Sequence, residues 1–321
     1  MEKRIAFVIS GAAAFIGQEV ALCKALIEGL YPKGEKIKPI VLAGASSGSL
    51  SSVLVDGVLR NKANPQEGVS WDQIENDILF PLKNKNIFTK GILAGTADDV
   101  LTTVFKGYIL NTKPLRKTLE KFVSGSSFMG YEKLGDVQSH LFLSSVSRET
   151  ALPTRFDSQN PQHKELKMVD VLMASTAIPA AFPHQVIQGM PGHWTDGGFG
   201  TDSVPIAPLT QLPKFDEVYV ITYDHRPKEI NQKEDRFIGN LSFALKNMLS
   251  AAFPLQLMGA LSLVNDESKA FVYMPVVSGN YSFLNFGEMQ PQFEETSQWA
   301  AQNDPMPVKG YLEGLRSVRP V

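Results

Sequence analysis

One cysteine, Cys23, is all that the 321-residue chain holds. A single thiol excludes an internal disulfide, leaves any metal site to other ligands and fits a reducing compartment. Excess charge of either sign is also missing. The chain has 31 Lys and Arg against 33 Asp and Glu, a net charge of −2, and a pI near 6.2. Without a basic excess it lacks the electrostatic footprint that holds a nucleic-acid backbone, so no nucleic acid is expected as a partner. Internal repeats and low-complexity segments are absent. So is an unbroken run of ~20 apolar residues, the length a membrane span needs. The closest stretch, Asn247–Val264, has 18 uncharged residues interrupted by Asn247, Pro254 and Gln256. What is there, 43% hydrophobic and 20% charged residues, is ordinary for a globular chain. The length allows one large domain or two small ones.

The first 17 residues, MEKRIAFVISGAAAFIG, imitate a signal peptide, with a charged start, an apolar run and small residues. Val20-Ala21-Leu22-Cys23 imitates a lipoprotein site, but Leu22 is bulky where such a site needs a small residue. The competing reading is a buried strand, Arg4–Ile9, turning at Gly11 into a helix over Ile16–Leu30. The strand reading is preferred because the motifs below depend on it. A cytoplasmic location is expected with it, since cleavage would remove the strand and the loop that follows.

A second strand at Ile40–Ala43 and a helix at Ser47–Arg60 repeat the pattern. Strand–helix–strand–helix predicts an α/β fold of three layers, a mainly parallel central sheet between helices. Residues 61–131 are more polar and read as a helical insertion, with helices at Trp71–Leu82, Thr96–Lys106 and Pro114–Val123. Further strands are expected at Leu141–Val146, Glu217–Tyr223 and Phe271–Val277, with helices at Met168–Ser175 and Asp235–Val264. No linker marks a boundary, so one domain is expected over 1–310. Residues from Asp304 onward read as a terminal extension, with 311–321 outside the domain.

Gly44-Ala45-Ser46-Ser47-Gly48 is a GxSxG motif between a strand and a helix, the context in which that motif carries a nucleophile. Small residues allow the sharp turn. The turn projects Ser46 at a helix N-terminus, where N–H groups favour developing negative charge. Ser47, the first helical residue, can add its N–H. A Gly/Ser-rich helix start is the plainer reading of the same five residues. Gly11-Ala12-Ala13-Ala14 follows strand one and would lie beside Ser46 at the strand C-terminal ends, where open α/β sheets bind ligands. It matches neither GxGxxG nor a P-loop. Its small residues suit either a tight connection or a backbone cradle for a carbonyl oxygen.

A serine needs a base. A Ser–acid–His order could be filled by Ser46, Asp196 and His225, but only one strand–helix unit precedes Ser46, fewer than a fold with that order supplies. The alternative is a carboxylate acting directly, from the loop Thr195-Asp196-Gly197-Gly198. As composition alone, Asp-Gly-Gly is a surface turn. His184 and His193 are loop histidines near Asp196, and Cys23 reads as a small core residue.

Taken in order, four segments resemble the patatin-like phospholipase (lipid acyl hydrolase) family. They are the loop Gly11–Gly17, Gly44-Ala45-Ser46-Ser47-Gly48, the block Ala174–Pro183 (ASTAIPAAFP) and Asp196-Gly197-Gly198. The resemblance covers about Ile5 to Asn285 and leaves 61–131 unmatched. It implies a serine–aspartate dyad, with Ser46 as nucleophile and Asp196 as base, and no catalytic histidine. It also implies an oxyanion hole from the N–H groups of Gly11, Ala12 and Ala13, and no metal or other cofactor. The implied substrate is a lipid or other acyl ester, with transient contact to a membrane surface allowed. The block Ala174–Pro183 is expected to pack under the site. One departure stands out. The family often carries Arg or Lys late in the first loop, and here Phe15-Ile16 occupy that place, which weakens the case for phospholipid. Two other classes stay open, a Ser46–Asp196–His225 esterase and a non-catalytic relative that binds a lipid or a protein. Phe237–Val264 reads as core helices kinked at Pro254, or as a lid over an acyl chain.

Overall fold

The computed structural model describes residues 3–31, 40–90, 110–226 and 236–317. The expected helix at Thr96–Lys106 lies outside the described residues.

The central sheet is built from β1 (Ile5–Ile9), β2 (Ile40–Ala45), β5 (His140–Ser147), β6 (Pro153–Asp157), β7 (Trp194–Asp196), β8 (Glu217–Ile221), β9 (Ala270–Tyr273) and β10 (Met306–Pro307). A separate antiparallel pair joins β3 (Thr89–Lys90) to β4 (Leu110–Asn111). The sheet order is β10-β9-β8-β1-β2-β5-β6, with β7 also paired to β5. Strands β9, β8, β1, β2 and β5 run parallel, while β6, β7 and β10 pair antiparallel.

β1 shows why the sheet is parallel and covered. All five of its residues are buried. Ile5, Phe7 and Ile9 join one core cluster, and Ala6 and Val8 the other. Alternate side chains leave a strand on opposite faces, so a strand apolar at every position must be covered on both.

The first face carries α1 (Ile16–Leu30), α2 (Ser47–Ala63), α3 (Met168–Ser175) and α5 (Met289–Ala300). Gly17 lets α1 and α5 approach closely, because a Cβ there would sit 2.7 Å from the Met289 carbonyl oxygen. α4 (Arg236–Leu257) reaches both faces. Its Leu245 and Leu249 join the first cluster, and its Phe253 and Leu257 the second. Pro254 lies inside this helix, which tightens into a 3₁₀ turn over Met258–Leu263. The second face also carries α6 (Val308–Ser317). The segment from Asp304, expected as an extension, therefore supplies an edge strand and a helix. Its Val308 is fully buried in the second core cluster, which also holds Val272 of β9.

The sequence-predicted strands and helices of the first 60 residues stand where expected. Trp71–Leu82 and Pro114–Val123 differ in winding, with π-helical turns at Ile74–Leu79 and Glu120–Ser124. Among the described residues no helix is long and apolar enough to cross a membrane.

Candidate active site

β1 sits between β2 and β8, and the chain builds outward from it first on one side and then on the other. This is the switch point of the sheet, where loops leaving neighbouring strands diverge and open a crevice. The loop after β1 and the turn after β2 both face that crevice.

The turn after β2 is tight because two glycines are missing their side chains where backbones meet. A Cβ on Gly44 would collide with the Gly48 carbonyl, and one on Gly48 with the carbonyls of Ile9 and Ser10. Between them Ser46 takes φ 54° and ψ −127°, a conformation that costs a non-glycine residue roughly 1–3 kcal/mol. Its surroundings hold it there. The Ser46 N–H donates to Ser175 Oγ at 3.1 Å. The Ser175 hydroxyl in turn donates to the Ser144 carbonyl at 2.6 Å and lies 2.7 Å from Ser49 Oγ. Ser175 is fully buried at the end of α3 and ties β5 and α2 to the strained residue.

Asp196 ends β7, whose pairing sets it opposite Ser145. The Asp196 N–H donates to the Ala177 carbonyl at 2.9 Å, and Thr195 Oγ1 donates to the same oxygen at 2.7 Å. Ser46 Oγ donates to Asp196 Oδ2 at 2.7 Å, and the Gly198 N–H donates to Oδ1, also at 2.7 Å. Asp196 is 0% exposed and Ser46 4%. Burial pushes the Asp196 carboxyl up to about 7, against the lowering effect of its bonds from Ser46 and Gly198. The block Ala174–Pro183 thus anchors both residues, Ser46 through Ser175 and Asp196 through Ala177.

The loop after β1 lies against this pair. A Cβ on Gly11 would come within 3.0 Å of Ser46 Cβ. The loop's own N–H groups are unevenly committed. Gly11 donates to the Ser203 carbonyl at 3.1 Å, Ala12 to Ser47 Oγ at 2.7 Å, and Ala14 to the Phe283 carbonyl at 3.0 Å. Ala13, with φ 47°, donates to no acceptor among the described residues. Nor does Ser47, the first residue of α2, whose N–H has no partner within its helix. Of the three donors expected from the sequence, two are therefore engaged inside the protein, and one is open.

The histidines lie elsewhere. His225 Nε2 is 2.7 Å from Thr222 Oγ1 and Nδ1 is 3.0 Å from Ser250 Oγ, and its ring stacks on Phe253. Both nitrogens are thus bonded away from Ser46 and Asp196. Burial and the nearby Lys246 charge drop its pKa to about 3, so the ring is neutral. The Ser46–Asp196–His225 arrangement is not formed. The reason is that β8 ends at Ile221 and directs His225 under α4 instead of towards β7. His184 Nδ1 is 2.7 Å from Arg148 and His193 Nδ1 is 2.8 Å from Glu149, at the surface. Phe15 and Ile16 are both buried, and Phe15 packs on Tyr223 and Phe283. The loop thus places apolar side chains where a cation was considered. Among the described residues no group of His, Cys, Asp and Glu could hold a metal ion.

Local sequence did not single out Ser175, whose role depends on a contact 129 residues away. The sign available was its place in the block Ala174–Pro183, expected from the resemblance to pack under the site.

A sequence profile described as patatin-like phospholipase matches residues 7–210, well over half of the chain. No curated protein matches it. Among solved structures the chain is similar to VipD from Legionella pneumophila, with a TM-score of 0.40 and 14% identity over 94% of this chain and 67% of that one.

Proposed function

The chain belongs to the patatin-like phospholipase family of lipid-ester hydrolases, and from that premise we propose that it cleaves lipid carboxylic esters through an acyl-serine intermediate formed by Ser46 and Asp196. The observation that carries this reading is the 2.7 Å bond from Ser46 Oγ to a buried carboxylate, the side-chain partner of that hydroxyl among the described residues.

In this mechanism Asp196 accepts the Ser46 proton as Oγ attacks the ester carbonyl. The Gly198 N–H keeps the carboxylate aimed. The oxyanion is held by the N–H groups of Ala13 and Ser47, helped by the positive end of α2. Gly11 and Ala12, expected from the sequence as donors, instead fix the loop. Asp196 then gives the proton to the leaving alcohol and, in the second half, takes one from the water that releases the acid. A carboxylate near its ordinary pKa of about 3.9 would be a poor base at neutral pH. Burial supplies the basicity that a histidine supplies elsewhere. No step requires a metal or other cofactor.

The buried Phe15 and Ile16 favour esters that lack a phosphate, such as glycerides and simple acyl esters, over phospholipids, whether diacyl or lyso, because both kinds carry the same charged headgroup. The site is read as part of one hydrolase domain with residues 61–131 inserted in it. The test is hydrolysis of a glyceride emulsion, a lysophospholipid and diacylphosphatidylcholine vesicles by wild type and Ser46→Ala. Glyceride turnover that is lost in Ser46→Ala supports the reading. Turnover that persists in Ser46→Ala refutes it, and faster cleavage of either phospholipid refutes the preference for esters that lack a phosphate.

A further inference from the structure

One buried acid takes no part in this reaction. Glu19, on the first turn of α1, is 0% exposed. Its Oε2 accepts the Ser51 hydroxyl at 2.9 Å and its Oε1 the Ser47 hydroxyl at 3.3 Å. The Ser47 oxygen accepts the Ala12 N–H at 2.7 Å. A chain of hydrogen bonds thus runs from α1 through the start of α2 to the loop against Ser46. Burying a carboxyl between helices is costly when an apolar residue could fill the space. The structure places it where a serine hydroxyl needs a direction. That hydroxyl can rotate freely and has one hydrogen to give. With the hydrogen aimed at Glu19, its lone pairs face Ala12.

We infer that Glu19 is a positioning residue for the oxyanion loop: it orients the Ser47 hydroxyl, which holds Ala12 and thereby sets the neighbouring Ala13 N–H for the ester oxygen. This rests on the esterase reading above. Gly11 and Ala14 are pinned by Ser203 and Phe283, and Gln292 Nε2 also donates to the Ala14 carbonyl at 3.1 Å. The Ala12 carbonyl accepts the Phe15 N–H at 2.9 Å, and the Ala12 N–H, on the other side of the peptide unit next to the open donor, is held by the Ser47 hydroxyl. Burial raises the Glu19 pKa well above the usual carboxylate range, against the bonds from Ser51 and Ser47.

The test is steady-state hydrolysis of p-nitrophenyl butyrate by wild type, Glu19→Gln, Glu19→Ala, Ser47→Ala and Ser51→Ala, with folding checked by circular dichroism and melting. Loss of one oxyanion donor costs about 10²–10³ in kcat, so its displacement is expected to cost about tenfold to a hundredfold in Ser47→Ala and Glu19→Ala, with KM within about twofold. Glu19→Gln keeps an oxygen for the Ser47 hydroxyl and is expected to stay within about fivefold of wild-type kcat. Ser51→Ala removes the other bond to the same carboxyl but not the path to the loop, and is expected to keep wild-type kcat. If Glu19→Ala does not fold, the contrast between Ser47→Ala and Ser51→Ala decides. Three results would overturn the inference. They are a folded Ser47→Ala with wild-type or higher kcat, a Ser51→Ala as slow as Ser47→Ala, and a KM rise with kcat unchanged. An inactive wild type would overturn the esterase reading itself, and this inference with it.

Discussion

At the scale of single residues, the proposed reaction depends on one carboxyl that burial holds at an unusual pKa. Asp196 is protonated below about 7 and cannot accept the Ser46 proton there. The kcat/KM profile is therefore expected to rise through about pH 7 to a plateau, and an activity already flat from pH 5 upward would contradict it. The same shift bears on stability. An unfolded aspartate titrates near its ordinary pKa of about 3.9, so between there and about 7 the folded chain binds the extra proton. Stability is accordingly lost as pH rises through that window. Asp196→Asn is expected to abolish turnover and to melt higher than wild type at pH 8, with the gain shrinking towards pH 4. Equal melting temperatures at pH 8 would show that the buried charge is not costly. Ser46 and Asp196 were legible because each lies in a short segment of distinctive composition. Ser175, Glu19 and the Ser47 hydroxyl were not. They act through contacts between distant segments, and a serine among serines carries no local mark.

At the scale of elements, the active site is a matter of how closely β2 can turn into α2. Gly48 has no room for a Cβ against the carbonyls at the end of β1. Gly48→Ala is expected to destabilise by about 1–3 kcal/mol or to prevent folding, because backbone cannot step aside as a side chain can. A variant with unchanged melting temperature would mean that the elbow is looser than described. Ser175→Ala takes the partner from the Ser46 N–H and the Ser49 hydroxyl, with an expected loss of about 1–3 kcal/mol and a fall in kcat. A fall in melting temperature with kcat unchanged would show that Ser46 keeps its geometry without that anchor. The early strands and helices were readable because each shows a clean run between turn residues. The π-helical turns at Ile74–Leu79 and Glu120–Ser124 were not. The apolar periodicity of such turns differs from an α-helix by a small slip that composition does not reveal. The short β6 and β7 escaped notice because they are strands by pairing with β5 and not by their own pattern.

At the scale of the whole molecule, the sheet order places the first two loops at the point where the chain changes sides. That order explains why Ser46 comes so early in the chain and why Asp196 arrives from a strand folded back on β5. It also leaves His225 bonded to Thr222 and Ser250, under α4. The final helix was not legible in the sequence because its apolar positions are sparse. Val308, Tyr311 and Leu312 pack on the second face all the same. A chain truncated before Val308 uncovers β9 there, and is expected to melt clearly lower than the full chain. An unchanged melting temperature would return the segment to the status of an appendage.

The central claim is that Ser46 is activated by Asp196 and by no histidine. The most direct measurement is covalent labelling by a fluorophosphonate, read by intact mass and peptide mapping on folded wild type, Ser46→Ala, Asp196→Asn and His225→Ala. The account predicts a single label on Ser46 in wild type and in His225→Ala, and none in the other two. Labelling that survives Asp196→Asn and disappears in a folded His225→Ala would contradict it.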